Sequence, residues 1–179
     1  ENGCLGILEP DLDESFAQNR ERIRVTSDIK CLNRCDIVYV APDVPTDDRG
    51  LSNLEEIEAL IRDVVPNLTD GTVLVILSQV PPGFTRGLGG HIPALADGGK
   101  FQLFCQVETL VIGDAVQRAV NPERNIVGRR DAGQTGLPEL YQHLLDAFDA
   151  PVFLMGYVSA ELTKASINMF LASTVSTSN

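Results

Sequence analysis

Five short apolar runs, separated by segments of helical pattern, constrain this fold more than any other feature. They are "DIVYVA" (36–41), "TVLVIL" (72–77), "FQLFCQV" (101–107), "NIVGR" (125–129) and "PVFLM" (151–155). "DIVYVA" is short, β-branched and aromatic, and "TVLVIL" is apolar from end to end, so both read as buried strands; the other three read as further strands, although "FQLFCQV" carries two glutamines and "NIVGR" an asparagine and an arginine. Strands that are apolar throughout are buried on both faces, which points to a parallel sheet between two layers of helix. The intervening segments supply those helices. Leu54, Ile57, Leu60, Ile61 and Val64 recur at helical spacing, behind a Ser52/Glu55 capping box. Leu137, Leu140, Tyr141, Leu144 and Phe148 form a second stripe. Shorter helices are expected over about 11–21, 28–33, 84–95 and 114–119, and "RIRVTS" (22–27) reads as an additional strand. A long final helix follows, capped by Ser159 with Glu161 in its first turn.

Composition narrows the function. Hydrophobic residues make up 44% of the 179 and charged residues 22%, enough apolar material for a buried core. The formal net charge of −11 argues against general binding to nucleic acid or to anionic membrane, which both need basic surface. No apolar run approaches the ~20 residues of a membrane span, and no signal-peptide pattern is present. Cys4, Cys31, Cys35 and Cys105 match neither zinc-site nor C-x-x-C spacing, so reduced thiols in a cytoplasmic protein are expected. His91 and His143 lack ligand neighbours at useful spacing, and no metal is assigned.

In open parallel sheets ligands sit at the carboxyl ends of the strands. The loops that reach that edge are 42–48, 78–83 and 106–113. No G-x-G-x-x-G occurs in the chain. "GLGG" (87–90) echoes it, but within a helical segment, where a packed helix turn is the plainer reading.

The last helix, "SAELTKASINMFL" (159–171), poses the sharpest question. At about 100° per residue, Glu161, Lys164 and Asn168 form one narrow polar stripe. Ala160, Ile167 and Leu171 flank it on one side; Ala165, Met169 and Ala172 flank it on the other. One reading is a solvated face with a Glu161–Lys164 ion pair worth under ~1 kcal/mol. The other is a site, because a polar stripe between two apolar ones is unusual on a free surface. There a lysine charge and an asparagine amide can stabilise a developing oxyanion.

Several segments, in register, resemble the UDP-glucose/GDP-mannose dehydrogenase family: "ILEPDLDE", "DIVYVAPDVPT" and "SAELTKASINMFLA". More weakly, "LSQVPPG" is similar to the family's K-S-T-V-P-x-G, "QVETLVIGDA" to N-P-E-F-L-x-E-G-x-A, and "NPERNIVG" to H-P-D-R-I-V-I-G. The resemblance spans essentially the whole chain. It implies an α/β, Rossmann-like doubly wound parallel sheet, incomplete at its N-terminus. Residues 1–156 would be the remainder of an NAD-binding domain and 157–179 the start of a central dimerisation helix. It implies NAD as cofactor, a UDP-glucose-like nucleotide sugar as substrate, and a homodimer. The implied reaction oxidises a primary alcohol to a carboxylate through a thioester on a cysteine outside this chain.

Residue by residue, the resemblance implies catalytic roles for Lys164, Asn168 and Glu108. Substrate contacts would come from Glu108, Thr109, Leu110, Val111, Lys164 and Asn168. Cofactor contacts would come from Pro42, Asp43, Val44, Pro45, Thr46, Ser78, Gln79, Val80 and Ile112. Taken alone, a glutamate after a strand is usually solvated, and prolines in loops are ordinary turn chemistry. The chain also departs from the family. Val44 and Gln79 each stand where threonine is expected. Gln106 and Val107 replace Asn-Pro, and Ile112 replaces a glutamate. Two other readings remain: a β-hydroxyacid dehydrogenase, which shares a Lys and an Asn four apart on its interdomain helix, and a catalytically inactive binding or dimerisation module.

Overall fold

The computed structural model describes residues 6–96, 99–131 and 136–177. All five apolar runs become strands: β1 (Ile37–Val40), β2 (Val73–Ile76), β3 (Gln102–Val107), β4 (Asn125–Arg129) and β5 (Val152–Gly156). They form one sheet in sequential order, β1-β2-β3-β4-β5. The helices are α1 (Leu12–Asn19), α2 (Glu55–Val64), α3 (Phe84–His91), α4 (Ala115–Val120), α5 (Glu139–Asp146) and α6 (Tyr157–Thr177).

Side-chain alternation along β2 divides the core in two. Leu74 and Ile76 join Val38, Ile57, Ile61, Leu88, Tyr157 and Ala160 on the face covered by α2, α3 and α6. Val73 and Val75 join Phe104, Val127, Tyr141 and Leu145 on the face covered by α5. There the rings of Phe104 and Tyr141 tilt against each other with centroids 5.3 Å apart. The sheet is therefore covered on both faces, as the apolar strands require.

The Rossmann-like doubly wound arrangement holds, with one departure from an all-parallel sheet. β1, β2 and β3 run parallel, β4 is antiparallel to β3, and β5 is parallel to β4. Val107 at the end of β3 pairs with Ile126 near the start of β4. The connecting segment, with α4, thus leaves and returns at the same edge of the sheet. An antiparallel neighbour needs no crossover on a sheet face. This reversal also explains the position of α5. The β1-α2-β2 and β2-α3-β3 crossovers lie on one face. A right-handed crossover between strands of opposite direction falls on the other.

Other local expectations change. Residues 23–26 form no strand, and Ile23 and Val25 stay exposed; alternating apolar residues do not pair without a neighbouring strand. The Ser52 capping box does not form. Ser52 is used in an isolated bridge to Thr46, while the Glu55 N–H donates to the Asn53 side-chain oxygen at 3.2 Å. The acidic first turn of α2 and Arg62 near its end suit the helix dipole. The expected helix over 84–95 ends at His91 and continues after Ile92 as a 3-10 turn, Pro93–Leu95. α6 starts at Tyr157, directly from β5, so Ser159 lies inside its first turn and does not cap it.

Candidate active site

α6 carries three polar side chains toward three different partners. Glu161 is only 5% exposed. Its carboxylate accepts from the backbone N–H of Gly83 at 2.5 Å and of Thr85 at 2.9 Å. α3 begins at Phe84, so Glu161 satisfies N–H groups that a helix start otherwise leaves without partners, and its charge suits the positive end of the dipole. The sequence signalled this residue as a first-turn acid, as a partner for Lys164 and as part of a stripe, but not as a partner of α3. Nothing in periodicity shows which element a stripe will meet.

Lys164, one turn on, turns to the edge of the sheet instead of to Glu161. Its Nζ donates to the Glu108 carbonyl oxygen at 2.6 Å and to Glu108 Oε2 at 3.2 Å. Glu108 directly follows β3, and its other oxygen accepts from the Leu110 N–H. The carboxylate is thereby folded back over its own loop, facing the lysine. An ammonium has three donors. Two point at Glu108, which leaves one for a ligand oxygen.

Asn168, a further turn on, donates from Nδ2 to Gln79 Oε1 at 3.0 Å. The β2–α3 loop that carries Gln79 is tied to the loop after β1, because Ser78 Oγ donates to the Pro42 carbonyl at 2.6 Å. A cleft of about 540 Å³ opens there at the carboxyl ends of β1 and β2. Pro42, Asp43, Val44, Thr46, Ser78, Gln79, Val80, Glu108 and Lys164 line it. A second cleft, about 430 Å³, lies on the other side of α6 and is lined by Thr109, Leu110, Val111, Lys164, Asn168 and the α4 segment. Lys164 lines both.

The remaining residues fall as follows. Pro45 does not line the first cleft; its carbonyl accepts from the Asn53 N–H at 2.8 Å and shapes the loop. Ile112 is 93% exposed and lines neither cleft. The nearby turn is held from a distance: Glu9 accepts from the N–H of Gly113 at 3.0 Å and of Ala115 at 2.6 Å. This gives the "EPDLDE" segment a physical role, because Glu9 pins the loop over the second cleft. Within "GLGG", Gly89 is packed, since a Cβ there would stand 3.1 Å from Ala96 Cα, while Gly87 and Gly90 face open space. Among the described residues, Cys31, Cys35 and Cys105 are free thiols, and Cys4 lies outside them. Burial, and then the charge of Glu161, push the Cys105 thiol up to about 12, so it is a poor nucleophile at neutral pH.

Residues 1–145 match the NAD-binding domain model of the UDP-glucose/GDP-mannose dehydrogenase family. The chain belongs to that family. UDP-glucose 6-dehydrogenase TuaD of Bacillus subtilis is 31% identical over 180 residues, covering 98% of this chain and 38% of that protein. UDP-glucose 6-dehydrogenase 2 of Arabidopsis thaliana is 30% identical over 188 residues, again 98% of this chain and 38% of its own length. Among solved structures, a GDP-mannose dehydrogenase from Pseudomonas aeruginosa superimposes with a TM-score of 0.81 at 25% identity, covering 97% of this chain and 41% of that one. A UDP-glucose dehydrogenase from Pyrobaculum islandicum gives 0.76 at 28% identity, covering 95% and 40%. The chain thus spans about two fifths of the length of the relatives it matches.

NAD is the cofactor of this domain family. The cleft above β1 and β2 fits one wall of such a site: it lies at the carboxyl ends of parallel strands, where dinucleotides bind. The N-terminus of α3 is not its phosphate grip, because Glu161 already fills it.

Proposed function

We propose that this chain serves an NAD-dependent nucleotide-sugar 6-dehydrogenase of the UDP-glucose type. Residues 1–156 form the remainder of its cofactor domain and 157–179 the start of its central helix. The observation that carries this reading is the place of Lys164. It stands between two clefts, its ammonium fixed by Glu108 with one donor left over. In this reading the cleft above β1 and β2 takes NAD, and the cleft beside α4 takes the sugar. Bound NAD supplies a hydride acceptor.

The chain's own residues then do the following. Lys164 stabilises the alkoxide formed as the sugar hydroxyl loses its proton, and the oxyanions that follow. Asn168 donates its second amide hydrogen to the same oxygen. Glu108 holds Lys164 in position, and its carboxylate takes the proton released by the sugar hydroxyl, and later that of the water that hydrolyses the thioester. Thr109, Leu110 and Val111 form the wall against the sugar. Pro42, Asp43, Val44, Thr46, Ser78, Gln79 and Val80 line the cofactor side, Pro45 shapes their loop, and Ile112 reaches the cofactor only if its loop moves.

The exposed Leu162, Met169, Phe170 and Leu171 on α6 support the dimer as part of the same reading. A cytoplasmic location also belongs to it; no helix among the described residues is long and apolar enough to cross a membrane. The test is NADH formation by the complete natural protein, supplied in parallel with UDP-glucose, GDP-mannose and small β-hydroxy acids. Turnover of UDP-glucose supports the reading. Turnover of a hydroxy acid alone, or of none, overturns it in favour of one of the two rivals.

A further inference from the structure

We propose that Gln79 is a positioning residue for the sugar-side chemistry, acting through Asn168. This rests on the dehydrogenase reading above. Gln79 lines the cleft assigned to the cofactor and Asn168 the cleft assigned to the sugar, yet their side chains meet at 3.0 Å. A terminal amide torsion is broad, so an unpartnered asparagine presents its donor and acceptor in more than one direction. The bond to Gln79 fixes the amide plane of Asn168. It uses one Nδ2 hydrogen and leaves the other, and Oδ1, for a ligand.

The base of this contact is rigid. Ser78, immediately before Gln79, donates to the carbonyls of Val40 and Pro42. Val80, immediately after, is buried. Gly83, at the end of the same loop, donates to Glu161. The β2–α3 loop therefore grips α6 at two points, Glu161 and Asn168, seven residues or about two turns apart. Lys164 lies between these ties. A shorter hydroxyl side chain such as threonine ends two bonds short of Gln79 Oε1 and cannot place an acceptor there. The glutamine thus makes a tie of its own, and it links the two clefts.

Gln79 is exposed, so its replacement leaves the fold intact. Steady-state kinetics of the complete natural protein with NAD and UDP-glucose test the idea in four forms: wild type, Gln79→Met, Asn168→Ala and the double variant. Gln79→Met keeps the length and removes the acceptor. It should lower kcat about five- to tenfold, the size of one neutral hydrogen bond, with the KM for NAD changed less than about twofold. In the Asn168→Ala background the same change should have no further effect, because the partner is gone. Gln79→Glu, which keeps an acceptor, should restore most of kcat. Three results each overturn the proposal: an unaltered kcat in Gln79→Met, an equal loss in the Asn168→Ala background, or a change confined to the KM for NAD. No turnover in the wild type sinks the dehydrogenase reading itself. Turnover with additive losses sinks only the role of Gln79.

Discussion

Glu161→Ala is the substitution that most sharply separates the structural skeleton from the chemistry. The carboxylate makes two charge-assisted hydrogen bonds, at 2.5 and 2.9 Å, to backbone donors at the start of α3. Each such bond contributes about 1.5–3 kcal/mol. Removing the acceptor also leaves two donors in an interior site where the glutamate is 5% exposed. Against this, the variant no longer desolvates a carboxylate, which offsets part of the loss. A net destabilisation of about 2–4 kcal/mol follows for the α3–α6 junction. The local readout is hydrogen exchange along α3, beginning at the Gly87 amide, which donates to the Gly83 carbonyl at 3.0 Å. Protection there should fall roughly 30- to 800-fold, the exchange equivalent of that range, while the β4–β5 amides change far less. Glu161→Gln should fall between the variant and wild type, because its amide accepts one bond and opposes the other donor. Unchanged protection in α3 would refute the claim that this carboxylate holds the helix start.

Three further outcomes are expected. Gly128→Ala should destabilise by about 1–3 kcal/mol, because its Cβ would stand 2.3 Å from Cys105 Sγ and 2.7 Å from Ala160 Cβ, forcing α6 off the sheet; an unaltered melting temperature would contradict that packing. Cys105 should resist alkylation in the native protein while Cys31 and Cys35 react, as peptide mapping can show, and equal rates would contradict its burial. The same thiol makes alkaline stability fall. Its folded value is about 12 and its ordinary value 9.0, so across that window the unfolded chain releases a proton that the folded chain keeps. Its contribution is complete below pH 9 and is lost as the pH rises toward 12. Cys105→Ala should flatten that decline in urea unfolding.

The sheet was readable because "DIVYVA", "TVLVIL" and "PVFLM" are nearly continuous apolar runs separated by helical patterns, and a central strand buried on both faces leaves few other arrangements. Strand direction was not readable. Nothing in "NIVGR" reveals that the preceding loop stays on one edge of the sheet, which makes β4 antiparallel to β3. The start of α2 at Glu55 was obscured by Ser52, because the Thr46–Ser52 bridge forms only once the loop has folded. In the candidate site, helical spacing alone put Glu161, Lys164 and Asn168 on one stripe. It could not show that they meet α3, the end of β3 and the β2–α3 loop, respectively. Those partners lie 78, 56 and 89 residues away in the chain. Family resemblance supplied Glu108 as a companion to Lys164, and the fold brings the two together. It also supplied Ile112, which the fold leaves in solvent.

The central claim is that Lys164 stabilises negative charge on the reacting sugar oxygen. The most direct measurement is the kcat of Lys164→Ala in the complete natural protein with UDP-glucose and NAD, beside a binding titration with NAD. Loss of an oxyanion donor predicts a fall of about 10²- to 10³-fold in kcat, with NAD affinity altered only a few-fold. A kcat within about twofold of wild type would contradict the account, since no such electrostatic term would then exist at this position.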